Sequence, residues 1–180
     1  MTPRVVVRSR SAAESRRIGE ALGRSIDPVP RAGFLVVLLG DLGAGKTTFA
    51  GGLLRGLGVP ADVPVVSPTF TVARAYRGRV PVHHVDAYMV RRTADLEAAG
   101  FEIMGGDGEV TCVEWGDRVA DALPPDRLEV TLTPEADPLA PPMEPPRRLE
   151  LTATGSRSAR VLERFARAVG ASLEGAGDPS

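Results

Sequence analysis

Apolar and polar positions along this chain fall in two periods that alternate in blocks. Val5-Val6-Val7 reads as a short strand. Ile18, Ala21, Leu22 and Ile26 then recur at helical spacing, after a Ser11-Ala12-Ala13-Glu14 capping box. A helix is predicted to run to about Ser25 and to stop before Asp27-Pro28-Val29-Pro30. Residues 33–39 carry no polar side chain, which predicts a central strand covered on both faces. A second helix is expected from about Lys46 to Leu57, ended by Gly58. Residues 71–76 alternate as a strand. Arg77-Gly78-Arg79 makes a tight turn, and residues 80–86 return as the hairpin partner, with Pro81 at the strand start or on an edge. A short helix over Thr93–Ala99 is expected next, then strands over Glu109–Glu114, Arg127–Thr133 and Arg148–Thr154. Residues 134–146 hold six prolines and read as an exposed loop without regular structure. Val161, Leu162, Phe165, Ala168 and Val169 mark one face of a closing helix, and the small polar tail from about Ala171 is expected to be disordered. The pattern predicts one α/β domain over residues 1–170, with a mixed central sheet flanked by helices.

Composition narrows the class without changing it. The chain has 180 residues, 43% hydrophobic and 25% charged, as in ordinary soluble globular proteins. A formal net charge of −1 gives no bulk attraction to nucleic acid. Cys112, the one cysteine, lies in an apolar run and is expected to be a buried, inert thiol. No apolar stretch approaches the roughly 18 residues of a membrane span, and no secretory leader is evident, so the cytoplasm is the expected location.

Chemistry enters at Gly40-Asp41-Leu42-Gly43-Ala44-Gly45-Lys46-Thr47-Thr48. The spacing G-x-x-x-x-G-K-T, between an apolar strand and a helix, is that of a phosphate-binding P-loop. Residues 43–48 would cradle phosphates with backbone N–H groups, Lys46 would meet the outer phosphates, and the Thr47 hydroxyl would ligate Mg²⁺. Lys46 is the only lysine of the chain. An Asn-Lys-x-Asp guanine reader therefore cannot exist outside the loop, which favours ATP. Asp86 and Glu114 each end an apolar strand, where an acid beside a P-loop can hold Mg²⁺ or orient water. His84, two residues before Asp86, reads as a hydrogen-bonded structural histidine ahead of a catalytic one. Ser67 and Thr69 read equally as a switch loop that senses the outer phosphate and as an ordinary Ser-Pro turn.

Four motifs occur in order: the P-loop at 40–48, Ser67-Pro68-Thr69-Phe70, His84-x-Asp86-x-Tyr88, and Glu114-Trp115. Together they resemble the TsaE (YjeE) family, bacterial ATPases of tRNA threonylcarbamoyladenosine synthesis, over about residues 10–133. The resemblance implies a small P-loop domain that hydrolyses ATP weakly alone and acts with the TsaD–TsaB pair, meeting tRNA indirectly through that assembly. It implies that Lys46 binds phosphates, that Thr47 and Glu114 bind Mg²⁺, that Asp86 is the second active-site acid, and that Thr69 lies in a switch-like loop. It makes Trp115 a functional surface residue, against simple core packing, and brings Ser11–Ala13 towards the adenine. The chain departs from the family at Met89, where an Arg usually follows the Asp-x-Tyr motif; Arg91 and Arg92 lie just downstream. Two other classes fit a P-loop: a small-molecule or nucleoside kinase, and a nucleotide-gated binding module with negligible catalysis.

Overall fold

In the computed structural model the described residues are 2–27, 31–69, 72–91, 94, 107–135 and 145–173. A seven-stranded sheet forms the centre: β1 (Arg4–Ser9), β2 (Phe34–Leu39), β3 (Ala73–Arg77), β4 (Pro81–Asp86), β5 (Val110–Glu114), β6 (Leu128–Pro134) and β7 (Arg147–Ala153). Their spatial order is β1-β7-β6-β2-β5-β4-β3. β2 runs parallel to both β5 and β6, and β4 runs parallel to β5. The outer pairs β3–β4, β6–β7 and β1–β7 are antiparallel. The expected mixed sheet is therefore a parallel core with antiparallel flanks.

The uninterrupted apolar run of β2 has the predicted cause. Phe34, Val36 and Leu38 belong to one core cluster, and Leu35 and Val37 to a second. The first cluster lies under three helices: α1 (Ala12–Ser25), α2 (Lys46–Gly56) and α3 (Ser156–Val169). The second is closed by Val119 of a short 3-10 segment (Gly116–Ala122) and by Val90. Cys112 is buried, and desolvation pushes its thiol well above the usual cysteine range, with the Glu114 charge adding to the effect.

α1 and α2 pack at backbone contact. A Cβ on Gly56 would lie 2.8 Å from the Gly23 Cα, so neither position has room for a larger residue. Arg79, in the β3–β4 turn, donates to Gly56 O and to Gly23 O, the second of which also accepts from Ile26 N at the end of α1.

The predicted helix starts hold with one shift. Ser11 Oγ accepts from Glu14 N at 3.1 Å, but the Glu14 carboxylate returns to Arg10 N, one residue before the residue a capping box would use. α3 has Gly155 at its N-cap, which carries no capping oxygen. Asp126 supplies it from outside the helix, accepting from Arg157 N at 2.9 Å and Ser158 N at 3.0 Å.

Several boundaries differ from expectation. β3 begins at Ala73, because Val72 takes a positive φ of 65° that ends extended pairing. Pro134 is the last residue of β6, opposite Arg147, and Glu135 N still donates to Pro146 O at 2.8 Å. The proline-rich loop is thus shorter than 134–146, since a proline at a strand end forfeits little pairing; residues 136–144 lie outside the described residues. Ala168 is exposed, and Ala166 takes its place on the buried face of α3 with Val161, Leu162 and Phe165. Ala171 and Leu173, expected in a disordered tail, pack against the core, and Ala171 N donates to Ala166 O. The helix expected over Thr93–Ala99 lies outside the described residues except for Ala94.

Candidate functional site

In-register pairing builds the site. Leu38 of β2 pairs with Glu114 of β5, and Glu114 pairs with Asp86 of β4. The two acids therefore end neighbouring parallel strands on the same face, beside the turn that leaves β2 for α2. Trp115 N donates to Leu38 O and Ala87 N to Glu114 O, which ties the three strand ends together. This is the carboxyl end of the parallel core, where open α/β sheets bind ligands.

The P-loop curls over this edge. Gly45, the residue before α2, has φ +98°, a conformation that L side chains rarely adopt. Gly43, Gly45, Lys46, Thr47 and Thr48 line a cavity of about 450 Å³, with Ser67, Thr69, Asp86, Tyr88, Glu114, Trp115 and Arg147 around it. Ala44 of the same loop is fully buried behind it. Every residue singled out for catalysis, phosphate or metal from the sequence belongs to this loop or lines this cavity.

Lys46 is 4% exposed. Its Nζ donates to Gly40 O at 2.6 Å and Asp41 O at 2.8 Å and lies 3.6 Å from the centroid of the Trp115 ring. Desolvation lowers its pKa from the ordinary lysine value, and the charges of Glu114, Asp86, Asp117 and Asp41 push it back up. Those backbone bonds hold the ammonium at the loop.

The hydroxyl of Thr47 donates to Glu114 Oε2 at 3.0 Å, and the other carboxylate oxygen, Oε1, faces His84 Nε2 at 2.8 Å. Glu114 is 2% exposed and His84 0%. The carboxylate oxygen accepts, so Nε2 donates to it, while Nδ1 is buried and without a partner among the described residues. His84 is thus hydrogen-bonded, as read, and its partner is the candidate metal-binding acid. Asp86 is held on the other side: Ser67 and Thr69 both donate to its Oδ2, Thr69 at 2.8 Å, and Tyr88 N donates to its Oδ1 at 2.9 Å. The Ser67–Thr69 loop is therefore fastened to the second acid.

Trp115 sits at φ 60°, ψ 42°, left-handed backbone that a bulky residue adopts only under constraint. Half-buried, it covers Lys46, meets Tyr88 at 5.1 Å between ring centroids, and has the Arg118 guanidinium 5.7 Å from its own centroid. Met89 is 59% exposed. The Arg118 guanidinium is set against the Tyr88 ring, at 5.1 Å. The residue that sequence reasoning missed is Arg147. It stands beyond the proline-rich stretch, with no motif around it, and is one arginine among many.

The oxygen donors fit Mg²⁺. A threonine hydroxyl and a carboxylate converge at bonding distance, and a hard cation of this kind takes few protein ligands and completes its shell with phosphate and water. Among the described residues no group of three or more His, Cys, Asp or Glu forms an all-protein cage.

Comparison with known proteins agrees with this geometry. Residues 9–139 match a family model described as "Threonylcarbamoyl adenosine biosynthesis protein TsaE". A protein of Treponema pallidum named tRNA threonylcarbamoyladenosine biosynthesis protein TsaE is 40% identical over 130 residues, covering 72% of this chain and 91% of its own. A protein of the same name from Bacillus subtilis is 34% identical over 150 residues, covering 82% and 87%. The crystal structure of YdiB from the same species superposes with a TM-score of 0.72 at 29% identity, covering 93% of this chain and 97% of that one. The motifs, the sheet order and these matches lead to one conclusion: the chain belongs to the TsaE family.

Proposed function

We propose that the protein is a Mg²⁺-dependent ATPase that serves the addition of threonylcarbamoyl to adenosine in tRNA. The observation that carries the chemistry is the Thr47–Glu114–His84 chain beneath the P-loop, which supplies a hydroxyl and an oriented carboxylate where a P-loop nucleotide carries its cation. The biosynthetic role rests on family membership and on the names of the relatives.

In this reading the triphosphate takes over the Lys46 ammonium from Gly40 O and Asp41 O. The N–H groups of residues 43–48 hold the inner phosphates. Thr47 and Glu114 hold Mg²⁺, which when bound would neutralise charge on the transferring phosphoryl oxygens. Asp86, released by the hydroxyls of Ser67 and Thr69, orients the attacking water. The same latch favours a switching component: occupancy of the phosphate end would compete for Thr69 and free the 67–69 loop to signal to a partner. The partners are the TsaD–TsaB pair, with tRNA met through them. No helix among the described residues is long and apolar enough to cross a membrane, and the site of action is the cytoplasm.

The deciding measurement is release of free phosphate from ATP with and without TsaD–TsaB. Stimulation by the pair, lost in Lys46→Ala, supports the proposal. Absence of both effects removes it. Label from the γ-phosphate appearing on an acceptor molecule would point to a kinase.

A further inference from the structure

Trp115 is the only tryptophan of the chain, and its backbone is pinned on both sides. Its N–H donates to Leu38 O, and its carbonyl accepts from Arg118 N at 3.1 Å. A Cβ on the following Gly116 would lie 2.2 Å from Val37 Cγ1 of β2, so the chain there lies flat against the sheet. With the backbone fixed, the indole can leave its place only by side-chain rotation. Two neighbours oppose that rotation. The Tyr88 ring lies 5.1 Å away, and the Arg118 guanidinium lies 5.7 Å from the indole centroid and 5.1 Å from that of Tyr88. Arg118 is exposed, does not line the cavity, and forms no ion pair with a described residue. The described contacts of its guanidinium are these two rings.

The indole covers the one lysine of the chain. An ammonium has three N–H donors. Two contacts of Lys46 Nζ go to Gly40 O and Asp41 O, and the face of Trp115 lies 3.6 Å away on a further side. This set occupies the capacity of the group and leaves the residue 4% exposed. The two carbonyls belong to the loop itself, whereas the ring is brought in from the end of β5. A cation–π contact is also weaker than a hydrogen bond from a charged donor. An outer phosphate therefore reaches the ammonium once the ring gives way, and the hold of Arg118 and Tyr88 on that ring sets how readily it does.

We propose that Arg118 is a positioning residue: with Tyr88 it seats Trp115 on Lys46, and the seated ring competes with the outer phosphate of ATP for the ammonium. The empty site thereby holds itself in a state of lower affinity. This rests on the nucleotide reading above and adds to it a cap built from residues 88, 115 and 118.

Because Trp115 is the single tryptophan, its emission reads the cap directly. The test measures emission and acrylamide quenching of the full chain for wild type, Arg118→Gln and Arg118→Lys, followed by calorimetric titration with Mg-ATP. Without nucleotide, both variants should emit at longer wavelength than wild type and be quenched more readily. Arg118→Lys keeps the charge but not the flat guanidinium that stacks on two rings, so it should not restore the wild-type signal. It should bind Mg-ATP about threefold more tightly than wild type, the size of one exposed cation–π contact. Arg118→Gln also loses attraction for a triphosphate, so Arg118→Lys decides the affinity. Turnover at saturating ATP should stay within about twofold of wild type, with the change in KM. Unchanged emission and quenching in both variants overturn the proposal. So does unchanged or weaker Mg-ATP binding by Arg118→Lys. Thermal unfolding without nucleotide identifies a folding defect, and should Arg118→Gln fail to fold, Arg118→Lys decides alone. Wild-type protein that binds no Mg-ATP would refute the nucleotide reading itself; the nucleotide-free emission still decides whether Arg118 seats the ring.

Discussion

The Glu114 carboxylate is shared between a loop hydroxyl and an imidazole from the neighbouring strand, and the two contacts predict different losses. Glu114→Gln keeps the shape but removes the charge that would hold a cation in the proposed function. Turnover should fall by about a hundredfold or more, while nucleotide affinity, measured by titration, changes little. His84 acts one step back by fixing the orientation of the carboxylate. His84→Gln should raise the Mg²⁺ concentration needed for half-maximal turnover by about 10–100-fold, read from metal titrations at constant ATP. The P-loop, Asp86 and Glu114 were legible in the sequence because each is a local pattern: a glycine spacing, or an acid closing an apolar run. The Glu114–His84 bond was not, because it joins residues 30 positions apart and depends on the register of β4 against β5. Arg147 was invisible for the same reason in stronger form: its partner Ala44 is 103 positions away.

At the scale of the elements, two joints bear the packing of the helical layer. The α1–α2 crossing has no space at Gly23 or Gly56. Gly56→Ala should destabilise the fold by about 1–3 kcal/mol through overpacking, despite the better helix propensity of alanine; denaturant titration would measure it. The α3 start depends on Asp126. Burial alone would raise its pKa, but donation from Arg157 and Ser158 outweighs this and holds the carboxyl below the usual aspartate range. A carboxylate depressed in the folded state stabilises at pH above its unfolded value, and that contribution is lost as pH falls through the folded value. Asp126→Ala should therefore cost about 1 kcal/mol at neutral pH, the usual scale for a lost cap, and the difference from wild type should vanish in strong acid. Helix and strand identities followed from periodicity. Exact ends did not: β3 starts late because of one positive φ at Val72, and α3 is capped by a residue distant in sequence.

For the whole molecule, the cavity gathers residues from α2, β4, β5 and β7, so ligand occupancy bears on most of the fold at once. Mg-ATP at about a hundred times its dissociation constant should stabilise the protein by about 2.7 kcal/mol, seen as a rise in Tm that Lys46→Ala abolishes. The sheet order carries a further consequence at its two margins. β1 and β3 are the outermost strands, and each presents two exposed arginines: Arg4 and Arg8 on one, Arg74 and Arg77 on the other. A margin with unpaired backbone groups invites a second sheet to pair with it, and rows of like charge oppose that approach. On β1 these charges are paired, Arg4 with Glu150 and Arg8 with Glu135, so the opposition falls chiefly to the β3 margin, where two copies meeting strand to strand would bring arginine against arginine. The β3 side of the sheet is therefore protected against fibre-like growth.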